Sequence, residues 1–207
     1  MPRLSDFVLI TQVVTFGNER AFGQLVSAHQ EAVRRFLRRL TAGDAMLADD
    51  LAQETFIRAW QHLKDFRQLS GFETWLFRIA YRVFLDEKRK KDALPTLSIG
   101  EEAVTFDRSN SSSSRAQSAP SLAARAGRET ETTGGESDRF SLRHDLDLAL
   151  STLSETERTC VVLQCVEGQS IKEIAQITDM NENTVKSHLL RGKKNLANYL
   201  RRNGYNE

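Results

Sequence analysis

Three things are scarce in this sequence: cysteine, net charge and long apolar runs. Of its 207 residues only two are cysteines, Cys160 and Cys165. Five positions apart on a helix, they point about 140° away from one another at ~100° per residue. That spacing excludes a bridge between them and with it a disulfide-stapled scaffold, leaving free thiols in a reducing compartment. Lys and Arg total 29 against 28 Asp and Glu, a formal net charge of +1. The chain therefore has no overall basic character to draw it to nucleic acid or an anionic membrane, and any basic surface must be local. No stretch approaches the roughly 18–20 apolar residues needed to cross a bilayer. The nearest, Phe7 to Val14 (FVLITQVV), is interrupted by Thr11 and Gln12 and leads into Gly17-Asn18-Glu19 without a small-x-small cleavage pattern. Neither a signal peptide nor membrane insertion is expected, and the chain reads as cytoplasmic. His29, His62, His144 and His188 show no metal-ligand spacing, and no Gly-rich phosphate loop or nucleophile motif occurs. Nothing here points to an enzyme, a metal or a cofactor.

What is present is unevenly distributed. Residues 1 to 91 carry 15 basic and 11 acidic groups, residues 92 to 144 carry 6 and 8, and residues 145 to 207 carry 8 and 9. From Asn183 to Asn203 there are six basic residues and no acid, and Lys88-Arg89-Lys90-Lys91 forms a second basic cluster. Between them, NSSSSRAQSAPSLAARAGRETETTGGES has almost no large apolar residue. Such a segment cannot bury enough surface to offset the entropy of ordering it. Residues 93–143 are therefore expected to be a flexible linker between domains at 1–92 and 144–207. Phe106 and Phe140 are the large apolar exceptions, either docking anchors or the fraying edge of a neighbouring helix.

Both flanking segments read as helical. Phe22, Leu25, Val26, His29, Val33, Phe36, Leu37 and Leu40 recur at steps of three and four. After a break at Gly43-Asp44, Ala52, Phe56, Ala59, Trp60 and Leu63 form a second stripe, and Trp75, Leu76, Ile79, Ala80, Val83 and Phe84 a third. A further short helix is expected from Asp6 to Thr15. Strand-type alternation is nowhere sustained, so the fold class is all-α. In the last segment, Ser154 with Glu157 and Ser170 with Glu173 have the S-x-x-E form of a capping box. Asn181 is a good N-cap for a third helix, which runs through Leu200.

Ser170 to Leu196 has the layout of a helix-turn-helix, with a tight connection at Thr178-Asp179. On its second helix Val185, Leu189, Gly192 and Leu196 share one side. Thr184, Ser187, Arg191, Lys194 and Asn198 fall within about 80° on the other, with His188 and Asn195 at its edge. A stripe of small polar groups, Arg and Lys without a carboxylate suits a DNA major groove; the plainer alternative is a solvated face of an ordinary bundle helix. In the first segment, Arg78, Arg82 and Arg89 lie within about 40° of one another around their helix. They follow the aromatic stretch containing Phe66, Phe72 and Trp75, a combination suited to single-stranded nucleic acid, although each aromatic taken alone could be core. Asp49, Asp50, Gln53 and Glu54 cluster near the head of their helix, where the macrodipole favours acids without any functional reason.

Two stretches carry a resemblance to a known family. DDLAQETFIRAWQHLKDFRQLSGFETWLFRIAYRVFLDEKRKK (Asp49 to Lys91) resembles region two of the bacterial sigma-70 family, in its extracytoplasmic-function group. LSTLSETERTCVVLQCVEGQSIKEIAQITDMNENTVKSHLLRGKKNLANYL (Leu150 to Leu200) resembles region four. The resemblance implies a factor that binds core RNA polymerase and directs promoter recognition and transcription initiation. Asp50, Gln53 and Glu54, flanked by Phe56, would dock on the β′ coiled coil. Phe66, Arg67 and the stretch from Gln68 to Phe72 would capture a base flipped from the minus-10 element, with Trp75, Arg78 and Arg82 facing the same strand. Lys186, Ser187, His188 and Arg191, with Thr184 and Lys194 on the same helix, would read the minus-35 element. The implied partners are the polymerase core (β′ coiled coil and β flap), promoter DNA and an anti-sigma factor.

The sequence departs from the family pattern at Ser154, where proline is usual, at Thr178-Asp179, where a glycine is usual, and at Gly192, more often alanine. The linker is also long for the group; at ~50 residues its r.m.s. span is roughly 40 Å and its full reach near 165 Å. Two promoter elements about two helical turns apart need something like 60–70 Å, which such a linker can bridge. The alternatives are a stand-alone helix-turn-helix regulator and a sigma-like interaction adaptor.

Overall fold

The computed structural model describes residues 4–67, 70–93 and 145–205, and among these every regular element is helical. The expected linker with Phe106 and Phe140, and also Gln68 and Leu69, lie outside the described residues. The elements are α1 (Leu4–Phe16), α2 (Glu19–Leu40), α3 (Ala45–His62), a 3-10 turn (Leu63–Asp65), α4 (Phe72–Ala93), α5 (residues 145–151), α6 (Glu155–Cys165), α7 (Ile171–Thr178) and α8 (Glu182–Arg202).

Local chemistry sets the boundaries. The Asn18 side chain accepts from the N–H groups of Arg20 and Ala21 and so opens α2, and Asp44 accepts from Leu47 N–H to open α3. Most of the α2 stripe is as the spacing predicts: Leu25, His29, Val33, Phe36, Leu37 and Leu40 are buried, whereas Phe22 and Val26 at its rim are half-buried and Ala21 is buried on its other edge. α3 presents mainly small side chains inward, Ala48, Ala52 and Ala59 beside Leu51 and Thr55. The hydroxyl of buried Thr55 donates to Leu51 O at 2.7 Å, which lets a polar group sit in the core. α1 is held by Ile10 and Val13 and by buried Asp6, whose Oδ2 lies 3.3 Å from Nε2 of His29.

α4 is buried around more of its circumference than one stripe allows: Phe72, Leu76, Phe77, Ala80, Val83 and Phe84, but also Thr74 and Tyr81. It packs against α2 and α3 on one side and against α7 on the other. Helices α6 to α8 are bounded as their caps foretell. Ser154 and Ser170 each form a complete capping box, Asn181 accepts from Thr184 N–H, and Gly168 (φ +68°) and Asp179 (φ +61°) make the turns. α8 crosses α6 with Val185, Leu189 and Gly192 buried.

The two helical groups are docked together, which the sequence reading, treating them as tethered and separate, does not anticipate. Arg35 on α2 forks onto Glu167, with Nε and Nη2 at 2.9 and 2.6 Å from its two oxygens. Thr74 Oγ1 on α4 donates to Gln169 Oε1 at 3.1 Å, with both residues buried. Arg39 pairs with Asp147 and Lys88 with Glu155. Arg158 of α6 donates to Leu150 O and Ser151 O at 2.9 and 3.1 Å, and to Leu40 O of α2 at 3.3 Å. It thereby serves carbonyls at the ends of two helices, where the backbone dipole favours a cation. Partners such as Arg35 and Glu167 stand 132 positions apart. Hydrophobic periodicity carries no trace of pairs made by single polar residues so far apart.

Candidate functional site

The outer face of α3 is one surface. Met46, Asp50, Gln53, Ile57 and Trp60 recur at steps of four and three and are all exposed. Met46, Ile57 and Trp60 are 79%, 53% and 40% exposed, large apolar groups that an isolated bundle would bury. The spacing placed Trp60 with the packed residues Ala52, Ala59 and Leu63, and the structure corrects this. Position 60 lies about 80° around the helix from position 52, at the rim of that stripe. Its indole is instead held edge-on by Phe22, with centroids 4.9 Å apart. Glu54 and Phe56 are half-buried. The Glu54 carboxylate accepts from Arg58 Nε at 2.7 Å, and Arg58 also donates to Asp86 of α4 at 2.7 Å. The bonds to Asp86 and Glu54 hold the Arg58 guanidinium pKa above its ordinary value. Asp50, Glu54, Asp86 and Glu87 line a shallow cleft between α3 and α4 together with Arg58 and Lys90, so that acidic groups are in excess there.

A second surface lies at the α3–α4 corner. Phe66 and Trp75 are half-buried, with centroids 5.3 Å apart, and both rest on Phe72 at 5.7 Å. Phe72 is 1% exposed and packs on His29, so it belongs to the core beneath the other two rings rather than to the accessible surface. Arg67 and Arg82 are exposed. Arg78 is not free: its Nη2 is 3.5 Å from Asp179 in the α7–α8 turn, and its Nε is buried without a hydrogen-bond partner among the described residues.

The third surface is the first half of α8. Thr184 N–H and Oγ1 both donate to Asn181 Oδ1, at 2.8 and 2.9 Å, and Ser187 Oγ donates to Asn183 O at 2.9 Å. These bonds fix the positions of the two hydroxyls. Lys186, Ser187, Arg191 and Lys194 are exposed, and Thr184 and His188 half-buried. Arg191 lies 3.3 Å from the His188 ring and 3.8 Å from a Glu157 oxygen, loosely tethered rather than neutralised. The sequence reading passed over Leu190, 74% exposed amid these polar groups. An isolated leucine on a basic face was the available signal.

Family models for sigma-70 region 2 and sigma-70 region 4 match residues 25–93 and 143–196. The chain is 27% identical over 199 residues to the ECF RNA polymerase sigma-E factor of Haemophilus influenzae, covering 95% of each. It is 28% identical over 199 residues to the RNA polymerase sigma factor CnrH of Cupriavidus metallidurans, covering 95% of this chain and 94% of that one. Its fold is similar to CnrH in complex with the cytosolic domain of CnrY, at TM-score 0.63 and 26% identity, covering 95% of this chain and 97% of that one. The sigma factor RpoE of Bartonella quintana, solved with the anti-sigma factor NepR, shares the fold at TM-score 0.62 and 24% identity, over 87% of this chain and 96% of that one. The two region models lie in their family order, span more than half of the chain and coincide with its two helical groups, and so the chain belongs to the sigma-70 family, in its extracytoplasmic-function group.

Proposed function

We infer that the chain is a promoter-specificity subunit that binds core RNA polymerase and directs promoter recognition and transcription initiation. Its part is to position the polymerase and the promoter; the chemistry of RNA synthesis belongs to the polymerase. The observation that carries this reading beyond simple DNA binding is the α3 stripe. A regulator acting on duplex DNA alone has no use for exposed Met46, Ile57 and Trp60 beside Asp50, Gln53 and Glu54, whereas a large protein partner has. We assign that stripe and the acidic cleft beside it to the β′ coiled coil, and a surface on residues 144–207 to the β flap.

Phe66 and Trp75 then offer faces on which unpaired bases stack, with Arg67, Arg78 and Arg82 for the backbone. Stacking returns roughly 1–3 kcal/mol per base, against a few kcal/mol for flipping a base out of the duplex. Thr184, Lys186, Ser187, His188, Arg191 and Lys194 face the upstream duplex, where Arg191 can fork to guanine, Lys can hold phosphate and Leu190 can meet a thymine methyl. No helix among the described residues is long and apolar enough to cross a membrane, and the proposed place of action is the cytoplasm, with the polymerase. CnrH is bound by CnrY in its solved structure; an anti-sigma protein is proposed as a partner of this chain too.

Transcription in vitro from genomic promoter fragments, with core polymerase and the purified chain, tests the reading. Promoter-specific transcripts that require both components support it. A footprint independent of core would favour a stand-alone regulator, and core binding without transcripts an adaptor.

A further inference from the structure

We propose that Asp86 on α4 is a positioning residue for polymerase docking: it holds Arg58, and Arg58 holds the Glu54 carboxylate in the orientation that a basic group of the partner meets. This deepens the assignment of the α3 face to core polymerase and rests on it. An i,i+4 pair such as Glu54 and Arg58 is ordinarily weak and mobile on a helix surface. Here a third group restrains it. Arg58 donates from Nε to Glu54 Oε1 and from Nη1 to Asp86 Oδ2, each at 2.7 Å. A guanidinium is planar and rigid, so carboxylates on two of its nitrogens fix the direction of its plane as well as its position. A rotation that released Glu54 would also break the bond to Asp86.

Asp86 can act as the anchor because of where it stands. It lies 28 positions from Arg58 in the chain, on a helix whose neighbouring Val83 and Phe84 are buried. Its other oxygen is 3.6 Å from Arg89. The orientation of Glu54 is thus set from the core, through α4, rather than by α3 alone. The side chains of Arg58, Glu54 and Asp86 are 32%, 44% and 39% exposed, and ion pairs so accessible to water contribute little to stability. Their effect is on conformation. A free glutamate samples many rotamers, and a partner that meets one must freeze it, which lowers affinity. Among the described residues the hydrogen bond of Glu54 is made by Oε1, so Oε2 remains to accept from the partner. Were Arg58 removed, the other carboxylates of the cleft, those of Asp50, Asp86 and Glu87, would repel Glu54 toward solvent.

The test measures the competition of full-chain variants with labelled wild type for core polymerase. Asp86→Ala and Arg58→Met should each weaken binding about fivefold, the effect of leaving one long side chain to be ordered on docking. Their combination should be no weaker than either alone, because Asp86 acts through Arg58. In a Glu54→Ala background, itself weaker than the wild type, neither should have a further effect, because no carboxylate is left to position. A direct contact of Asp86 with polymerase would keep its loss in both backgrounds. General loosening of α3 against α4 would do the same in the Glu54→Ala background, since it would disturb Met46, Ile57 and Trp60 as well. Full affinity in Asp86→Ala or in Glu54→Ala, additive losses from Asp86→Ala and Arg58→Met, or a loss that persists without Glu54, would each overturn the proposal. Core binding and promoter-directed transcription by the wild type, measured on the same preparations, test the function separately: their absence would refute that reading, whereas with the wild type active the outcomes above bear on the positioning alone.

Discussion

A Cβ on Gly192 would stand 2.8 Å from Cγ2 of Val161 and 3.3 Å from the Cβ of Glu157, so the crossing of α8 over α6 is set by the absence of a side chain. In an exposed helix, alanine in place of glycine gains about 1 kcal/mol. Here the added methyl must displace Val161, which is buried and has a stiff χ1, and overpacking of this kind costs roughly 1–3 kcal/mol. Gly192→Ala should therefore destabilise the chain in urea by about 1 kcal/mol. A stabilised variant would show that the two helices can separate freely.

The capping boxes give a prediction with a pH dependence. Ser154→Ala and Ser170→Ala should each cost about 1 kcal/mol. Burial disfavours ionised Glu173, but the N–H and hydroxyl of Ser170, at 2.8 and 2.7 Å, outweigh it and hold the carboxyl below its ordinary value. A carboxyl whose pKa is lowered by folding contributes stability above its unfolded value and loses it as pH falls through its folded value. The stability gap between wild type and Ser170→Ala should accordingly be full at neutral pH and narrow in acid, below the ordinary glutamate range. A gap that stays constant across that range in paired urea titrations would contradict the sign.

The two thiols should react very differently. Burial, reinforced by the nearby Glu157, pushes the Cys160 pKa up to about 11, whereas Cys165 is exposed. Titration of the native chain with a thiol reagent at pH 8 should show one fast group, with the second appearing only in denaturant. Two fast groups would mean that α6 opens readily.

Arg158 is a half-buried cation that faces carbonyls rather than a carboxylate, and its partial burial lowers its pKa from the ordinary value. Arg158→Met keeps the length of the stem but leaves the carbonyls of Leu150 and Leu40 unpaired, a loss of about 2 kcal/mol. Arg158→Lys should recover only part of it, because a point charge cannot reach acceptors lying in several directions. Full recovery by lysine in thermal unfolding would reduce the role of Arg158 to that of a charge.

Polymerase binding and DNA reading should separate by residue. Ile57→Asp and Trp60→Ala are expected to weaken association with core polymerase by about 2 kcal/mol each, with little change in stability for Ile57→Asp and a modest loss for Trp60→Ala, which also gives up the edge contact with Phe22. Arg191→Ala should leave core binding intact and cost about 1–3 kcal/mol at the upstream promoter element. Equal loss of core affinity from all three, measured by competition for core, would refute this division.

Much of the molecule was legible before any coordinates. Ser154, Ser170 and Asn181 mark helix starts because capping is local chemistry, complete within four residues. The α2 stripe was legible because an apolar face repeats with the helical turn. Asp179, expected to manage a turn where glycine is usual, does so with φ +61°. Single residues at the rim of a stripe were less legible: Trp60 sits where a small rotation decides between core and surface, and Phe72, read as a possible contact of the flipped base, lies beneath Phe66 and Trp75.

What the sequence by itself determined is the set of helices, their caps, the basic outer face of α8 and the family, since each is written in residues near one another or in a motif read in order. What only the tertiary structure decided is which of those residues are free to act. Arg78 is paired with Asp179, Glu54 is engaged by Arg58, and Gly192 is required by Val161. Two of these three depend on surfaces brought together from distant parts of the chain or from separately marked helices, and the third on which neighbour a side chain selects within one turn. Hydrophobic periodicity says which way a helix faces, but only packing says what it meets there.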